Sequence, residues 1–302
     1  MTARVAANVS DALPTTWTIE AVVKWAADDF RARGIESPRL DAEVLLAHAL
    51  GATRMQLILD AKRPLASREL GAFRDLVKRR RLREPVAYLR GEREFYGRVF
   101  KVDARVLVPR PDTEMLVAAA LARTTFCSLS LRALDLCTGS GCVAISIARE
   151  RPTCSVYGTD VSAGALDVAR GNALRLGAYN VAWREGDLFA ALDGEVGRAP
   201  RFDLVTANPP YIPSADIASL MPDVRSFEPR LALDGGDDGL SLVRRIVTGA
   251  RERLAPGGVL AIEIGAGESA DVRALFEAAE YSAVEVHRDY ARIERVVSGV
   301  LR

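Results

Sequence analysis

The chain has 302 residues, 49% of them hydrophobic and 27% charged, with 41 basic side chains against 40 acidic ones and a formal net charge of +1. That length can bury more than one core, and the near-zero charge excludes a whole-molecule attraction to nucleic acid. No apolar run approaches the roughly 18 residues of a membrane span, and the polar N-terminus lacks a signal-peptide core, so no membrane partner and a cytoplasmic location are expected.

Met1 to Thr16 read as a disordered N-terminus. From Thr18 to about Arg83 the apolar residues fall at helical spacing: Ile19, Val22, Val23, Ala26 and Phe30, then Leu40, Val44 and Leu45. Ser37 before Pro38 marks a helix start, Gly51 a stop, and Ser67 a further cap ahead of Leu70, Phe73, Leu76 and Val77. A small helical bundle over 17–90 is the expectation. The run Lys78-Arg79-Arg80-Arg81-Leu82-Arg83 suits the last turn of a helix, where the macrodipole favours cations, and no aromatic residues interleave with it as a nucleic-acid surface would require.

Phe95, Tyr96, Val99, Phe100 and Val102 predict a short hairpin linker over 91–108. The pattern then changes. Strands near 131–136, 155–159, 180–184, 202–207, 258–264, 282–287 and 293–300 alternate with helical stretches through a domain spanning 109–302. This is the signature of an α/β doubly wound, Rossmann-like parallel sheet with a reversed final strand, and such sheets bind ligands beyond the C-terminal ends of their strands.

The first of those strands feeds Asp135-Leu136-Cys137-Thr138-Gly139-Ser140-Gly141, and an alanine-rich helical stretch follows. Gly139 and Gly141 let the backbone approach a ligand and take positive φ, while the new helix presents unpaired N–H groups. Asp160 lies 19 residues after Gly141, where an acidic residue grips ribose hydroxyls. Gly139 to Ala144 also fits the dinucleotide fingerprint, which leaves a nicotinamide enzyme open. Asp135 decides against it, since it would repel a pyrophosphate but suits the ammonium of a methionine moiety. The expected cofactor is S-adenosylmethionine, leaving as S-adenosylhomocysteine. Its expected contacts are Asp135, Cys137, Thr138, Gly139, Ser140, Gly141, Asp160, Asp187, Leu188 and Asn208.

Asn208-Pro209-Pro210-Tyr211 follows the strand at 202–207. Two prolines hold the backbone extended. The Asn208 side-chain carbonyl and the Pro209 carbonyl are two acceptors, enough to hold a planar NH2 group by both hydrogens while its lone pair stays free. Tyr211 offers a flat face for a flat substrate. Asn208, Pro209 and Tyr211 are therefore the candidate catalytic residues, and Asn208 to Tyr211 the candidate substrate site. The long Pro-, Asp- and Gly-rich segment from Ile212 to Gly239 reads as a functional loop. Within it Asp234 to Gly239 misses the EF-hand spacing, so an ordinary turn is expected. Cys127, Cys137, Cys142 and Cys154 lack paired CxxC spacing, and His48 and His287 lie outside both motifs, so neither a metal site nor a Ser-His hydrolase is indicated.

On Glu84 to Leu89, Val108 to Glu114, the glycine loop, Asn208 to Tyr211, Glu228-Pro229 and Asp234 to Leu240, the chain from about Trp17 onward resembles the bacterial protein-glutamine N5-methyltransferases, most closely the release-factor branch. The resemblance implies a class I methyltransferase fold and methylation of the glutamine in the Gly-Gly-Gln loop of class-1 peptide chain release factors. It also implies that Pro109-Arg110-Pro111 lies over the cofactor. Residues 17–90 carry none of the cofactor or clamp residues, so they are expected to recognise the substrate, and a monomer without direct nucleic-acid contact is expected. One departure stands out: the family's loop usually starts with glycine, whereas this chain has Cys137. That spelling is also similar to the sister enzyme acting on ribosomal protein L3, which stays open as a substrate. An adenine N6-methyltransferase would use the same clamp on a flipped base but would need a basic recognition surface. A cofactor-binding protein without turnover would have no use for a complete clamp.

Overall fold

The computed structural model describes residues 16–124, 130–193 and 201–302. The expectations for residues 1–15 and for Cys127 lie outside the described residues. The chain divides into one unit up to Arg90 and a second from Gly91 to Arg302.

The first unit holds five helices, α1 (Ile19–Ala32), α2 (Pro38–Leu50), α3 (Arg54–Leu59), α4 (Ser67–Arg81) and α5 (Val86–Arg90). The apolar stripe of α1 buries Ile19, Val22, Val23, Ala26, Ala27 and Phe30 against Leu45 and Leu46 of α2 and Phe73 and Val77 of α4. The Thr18 hydroxyl caps α1 by accepting the Ala21 N–H at 3.3 Å, and Gly51 ends α2 in the left-handed conformation at φ 62°. Two expectations need correction. Ser67 is the first residue of α4 rather than its cap: Ala66 holds the cap position, and the Glu69 carboxylate accepts its N–H at 2.8 Å. Leu40 is 44% exposed, because the buried face of α2 runs instead through Ala42, Leu45 and Leu46.

The basic run is spent inside this unit. Lys78 pairs with Asp75 and Arg79 with Glu84. Arg81 pairs with Asp29 at 2.8 Å while lying over the Trp25 ring, and Arg83 donates to the Gly34 carbonyl. Arg80, only 5% exposed, donates from Nε to Asp41 Oδ2 at 2.8 Å and from Nη1 to the Glu84 carbonyl.

The second unit opens on the hairpin β1 (Glu92–Phe95) and β2 (Arg98–Lys101), then runs α6 (Glu114–Arg123), β3 (Arg132–Leu136), α7 (Cys142–Glu150), β4 (Ser155–Asp160), α8 (Ala163–Leu176), β5 (Val181–Glu185), β6 (Phe202–Ala207), α9 (Pro222–Phe227), α10 (Ser241–Arg253), β7 (Leu254–Glu263), α11 (Ser269–Ala278), β8 (Tyr281–Arg288) and β9 (Glu294–Leu301). The seven-stranded sheet has the order β5-β4-β3-β6-β7-β9-β8. Neighbours from β5 to β7 are parallel, and β9 runs antiparallel to both β7 and β8, so it is the single reversed strand. β7 starts four residues before the apolar run at 258, because Leu254 already pairs with Phe202 ahead of a bulge.

Side chains alternate across the sheet, as the pleat requires. Ala133, Leu204, Val259 and Ala261 face a core with Leu116, Ala120 and Ile145, while Leu134, Val205, Leu260 and Ile262 face one with Val243, Ile246 and Phe276. Phe95 and Phe100 put the hairpin into the first of these cores. The Lys101 N–H donates to Asn172 Oδ1 at 2.7 Å, and the Asn172 amide donates to the carbonyls of Lys101 and Ser140. One buried asparagine thus ties hairpin, helix and glycine loop together.

Removing one member of a buried ion pair strands the other charge at a cost of about 3–5 kcal/mol. Arg80→Ala is expected to destabilise the helical unit by that amount in denaturant unfolding of the whole chain. The same change at exposed Lys78 should cost less than about 1 kcal/mol.

Candidate active site

Strand order reverses between β3 and β6, the place where sheets of this kind open a crevice. The registers fix what meets there. Leu136 lies beside Thr159 and beside Ala207, and Ala207 lies beside Ile262. The residues that follow, Asp160, Cys137, Asn208 and Glu263, form one row across four strand ends.

In front of that row is a cleft of about 370 Å³. It brings together Asp135, Cys137, Thr138, Gly139, Ser140, Asp160, Asp187, Leu188, Asn208 and Pro210. Gly141, Pro209 and Tyr211 are not among its lining residues.

The loop after β3 doubles back tightly. Cys137, Gly139 and Gly141 all take positive φ, at 54°, 54° and 79°. Cys137 therefore occupies a left-handed position that glycine adopts at little cost and other residues at roughly 1–3 kcal/mol. The Thr138 N–H donates to the Thr159 carbonyl at 3.0 Å and the Gly141 N–H to the Thr138 carbonyl at 2.8 Å. Gly141 starts α7 in a confined spot, where a Cβ would come within 2.9 Å of Ile145 Cδ1 and of Trp183 Cη2.

Asp135 is 1% exposed. Its Oδ2 accepts the Thr138 hydroxyl at 2.6 Å and its Oδ1 the Thr206 hydroxyl at 2.8 Å. Burial outweighs these bonds and pushes its pKa up to about 7. Asp160 Oδ2 accepts the Gly139 N–H and Oδ1 the Ser162 N–H, each at 2.9 Å, and burial raises its pKa as well. Asp187 pairs with Arg245 at 2.7 Å.

Asn208 follows β6 and donates from Nδ2 to the Thr113 hydroxyl at 3.3 Å. Among the described residues, no donor meets its Oδ1 or the Pro209 carbonyl. Tyr211 is half-buried, and burial pushes its phenol pKa up. The turn from Asp234 to Gly239 pins the chain just beyond it. The Ile212 N–H donates to the Leu233 carbonyl and the Gly235 N–H to the Ile212 carbonyl, and a Cβ at Gly239 would collide with the Tyr211 carbonyl oxygen.

Two strips face the cleft from the sequence on either side, 105–113 and 229–232. Arg110 and Glu228 join them through an ion pair of 2.7 Å, with the Glu228 side chain 1% exposed. Sequence reading missed Glu263 and the role of Thr113. The available signal for Glu263 was a charged residue closing an otherwise apolar buried strand.

Residues 21–91 match the family described as the PrmC N-terminal domain, and residues 133–227 match the one described as a methyltransferase domain. A release factor glutamine methyltransferase of Geobacter sulfurreducens is 43% identical over 286 residues, covering 95% of this chain and 98% of that protein. One of Burkholderia pseudomallei is 44% identical over 281 residues, covering 91% and 96%. A solved structure, the release factor-specific protein-(glutamine-N5) methyltransferase from Alicyclobacillus acidocaldarius, is 26% identical and covers 67% of this chain and 99% of its own, with a TM-score of 0.40.

The two loop glycines should respond differently to a methyl group. Gly139 has open space around its Cβ direction, so Gly139→Ala should cost only the left-handed backbone, about 1–2 kcal/mol. Gly141→Ala adds overlap with Ile145 and Trp183 and should cost a further 1–3 kcal/mol, approximately. Equal losses in denaturant midpoints would contradict this geometry.

Proposed function

Because this chain belongs to the release factor glutamine methyltransferase family, we propose that it transfers a methyl group from S-adenosylmethionine to the side-chain amide nitrogen of the glutamine in the Gly-Gly-Gln loop of class-1 peptide chain release factors. The chain is a methyltransferase of the Rossmann-like class I fold. The observation that carries the substrate chemistry is the pair of acceptors that meet no donor among the described residues, Asn208 Oδ1 and the Pro209 carbonyl, next to a cleft suited to the cofactor.

The cleft fits S-adenosylmethionine by its donor set. Asp160 would accept ribose hydroxyls with the lone pairs that its backbone bonds from Gly139, Val161 and Ser162 leave over. Asp135, buried and bonded to two hydroxyls and the Ala144 N–H but to no cation, would gain a counter-ion from the ammonium. Gly139 gives the close backbone approach, and Arg110 with Glu228 would hold the covering strips. When bound, the cofactor supplies an electrophilic methyl on a sulfonium.

An amide nitrogen is a poor nucleophile because its lone pair is delocalised into the carbonyl. Accepting both of its N–H bonds raises electron density on nitrogen and stabilises the positive charge that grows there. The new N–C bond forms as the C–S bond breaks, and the nitrogen then loses a proton to solvent. No general base is needed early, since the methylated amide is strongly acidic. Fixed aim supplies the rest of the acceleration. Tyr211, held by the 234–239 turn, would limit the tilt of the substrate plane. We assign choice of partner to residues 17–90, which expose Met55, Ile58 and Leu59 on α3.

Labelled methyl transfer to purified release factor, ribosomal protein L3 and DNA in parallel tests the substrate. The expected result is stoichiometric labelling of release factor alone; preferential labelling of L3 or of DNA contradicts the proposal.

A pH dependence follows from Asp135. Its pKa in the folded chain, about 7 against an ordinary 3.8, means that the proton is held more tightly folded than unfolded, so this group's contribution to stability is full below 3.8 and is lost as pH rises through 7. Cofactor binding runs the other way, because the ammonium needs the carboxylate. Affinity should fall roughly fivefold from pH 7 to pH 6. Calorimetry should show that slope in the native chain and a shallower one in Asp135→Asn; a pH-independent affinity would exclude the ammonium contact.

A further inference from the structure

Glu263 ends β7 beside Asn208 and is 2% exposed. Nothing in the methyl-transfer chemistry set out above uses it. The Thr113 hydroxyl and the Asn208 amide both form side-chain hydrogen bonds that favour its charged form, yet its Oε2 is buried with no hydrogen-bond partner among the described residues. Burying a carboxylate this incompletely is costly, which calls for a function.

Asparagine has two faces of opposite character, an NH2 that only donates and an oxygen that only accepts. A substrate NH2 can be held only if the oxygen faces it. The NH2 must then be taken up internally, by acceptors. Thr113 Oγ1 accepts from Asn208 Nδ2 at 3.3 Å, and having accepted, passes its own proton toward Glu263. An ionised carboxylate has no proton to give, so it can never invite the Asn208 oxygen inward.

We propose that Glu263, acting on the Asn208 amide directly and through Thr113, is a positioning residue that keeps the Asn208 carbonyl oxygen turned toward the methyl-accepting amide. This rests on the reading of Asn208 as one half of the amide clamp. A protonated Glu263 would donate to Asn208 Oδ1 and turn the amide around, presenting an NH2 to the substrate NH2. Several groups act on this carboxyl: burial and Asp112 raise its pKa, Arg295, Thr113 and Asn208 lower it, and Tyr211 and Cys142 lie within its field. The balance leaves it near 7. At saturating cofactor, where Asp135 no longer limits binding, kcat should therefore decline as pH falls through about 7.

The test is steady-state methylation of intact release factor by the full chain at saturating S-adenosylmethionine, from pH 5.5 to pH 8.5. Glu263→Gln mimics the protonated acid and should lower kcat at pH 8 by about 10- to 100-fold, the usual effect of an outer partner that orients an active group. Its cofactor affinity should stay at the native value and its acid limb should disappear. Thr113→Val, which removes one of the two acceptors on the Asn208 amide without changing volume, should lower kcat at saturating cofactor, and it decides the question should Glu263→Gln fail to fold. Asn208→Ala is the control, with an expected loss of about 100- to 1000-fold. Native turnover in Asn208→Ala would remove the clamp reading itself. An inactive Asn208→Ala beside Glu263→Gln or Thr113→Val with native kcat and a native pH profile would overturn the positioning role alone.

Discussion

The registers of four parallel strands govern this site. Because Leu136 sits beside both Thr159 and Ala207, and Ala207 beside Ile262, the chain delivers an aspartate, a cysteine, an asparagine and a glutamate to the same edge of the sheet. A slip of one residue in any of these strands would turn its apolar side chains to the opposite face and take its terminal residue out of the row. The two cores, one on each face, hold the registers with Leu134, Val205 and Leu260 on one side and Ala133, Leu204 and Val259 on the other. Catalytic geometry is thus set by the same apolar packing that makes the sheet.

What the strands deliver, tight backbone turns then aim. Cys137, Gly139 and Gly141 spend left-handed φ to bend the loop around the cleft, and Asn172 supports it through the Ser140 carbonyl while also holding the hairpin. On the other side of the switch point lie two prolines and the 234–239 turn, and there the Asn208 Oδ1 and the Pro209 carbonyl meet no donor among the described residues. Both halves of the site carry buried carboxylates, Asp135 and Glu263, whose pKa values burial lifts to about 7. In the proposed reading each serves something nearby that needs a negative charge: a cofactor ammonium in one case, the orientation of an amide in the other.

Much of this was legible in the chain. The seven strands could be placed from apolar runs bounded by turn residues, and the glycine loop, Asp160 and Asn208 from motifs whose chemistry is local. Local signals misled where two residues compete for one role. Ser67 looked like a cap, but Glu69 supplies the bond to the Ala66 N–H, and Leu40 fitted a helical stripe that turns out one step away. Glu263 carried only the signal of a charge closing an apolar strand; that it lies beside Asn208 is set by strand order, which periodicity does not specify. The basic run at 78–83 was legible only as a helix end; that Arg80 is consumed by Asp41, 39 residues earlier, depends on packing.

The central claim is that two protein acceptors hold both hydrogens of the acceptor amide. The most direct measurement is proton–nitrogen NMR of a Gly-Gly-Gln peptide carrying a 15N-labelled glutamine side chain, bound to the full chain in the presence of S-adenosylhomocysteine. Both side-chain N–H protons are predicted to move downfield and to exchange slowly with solvent. A bound peptide in which one of the two keeps its free shift and free exchange rate would contradict the two-acceptor clamp.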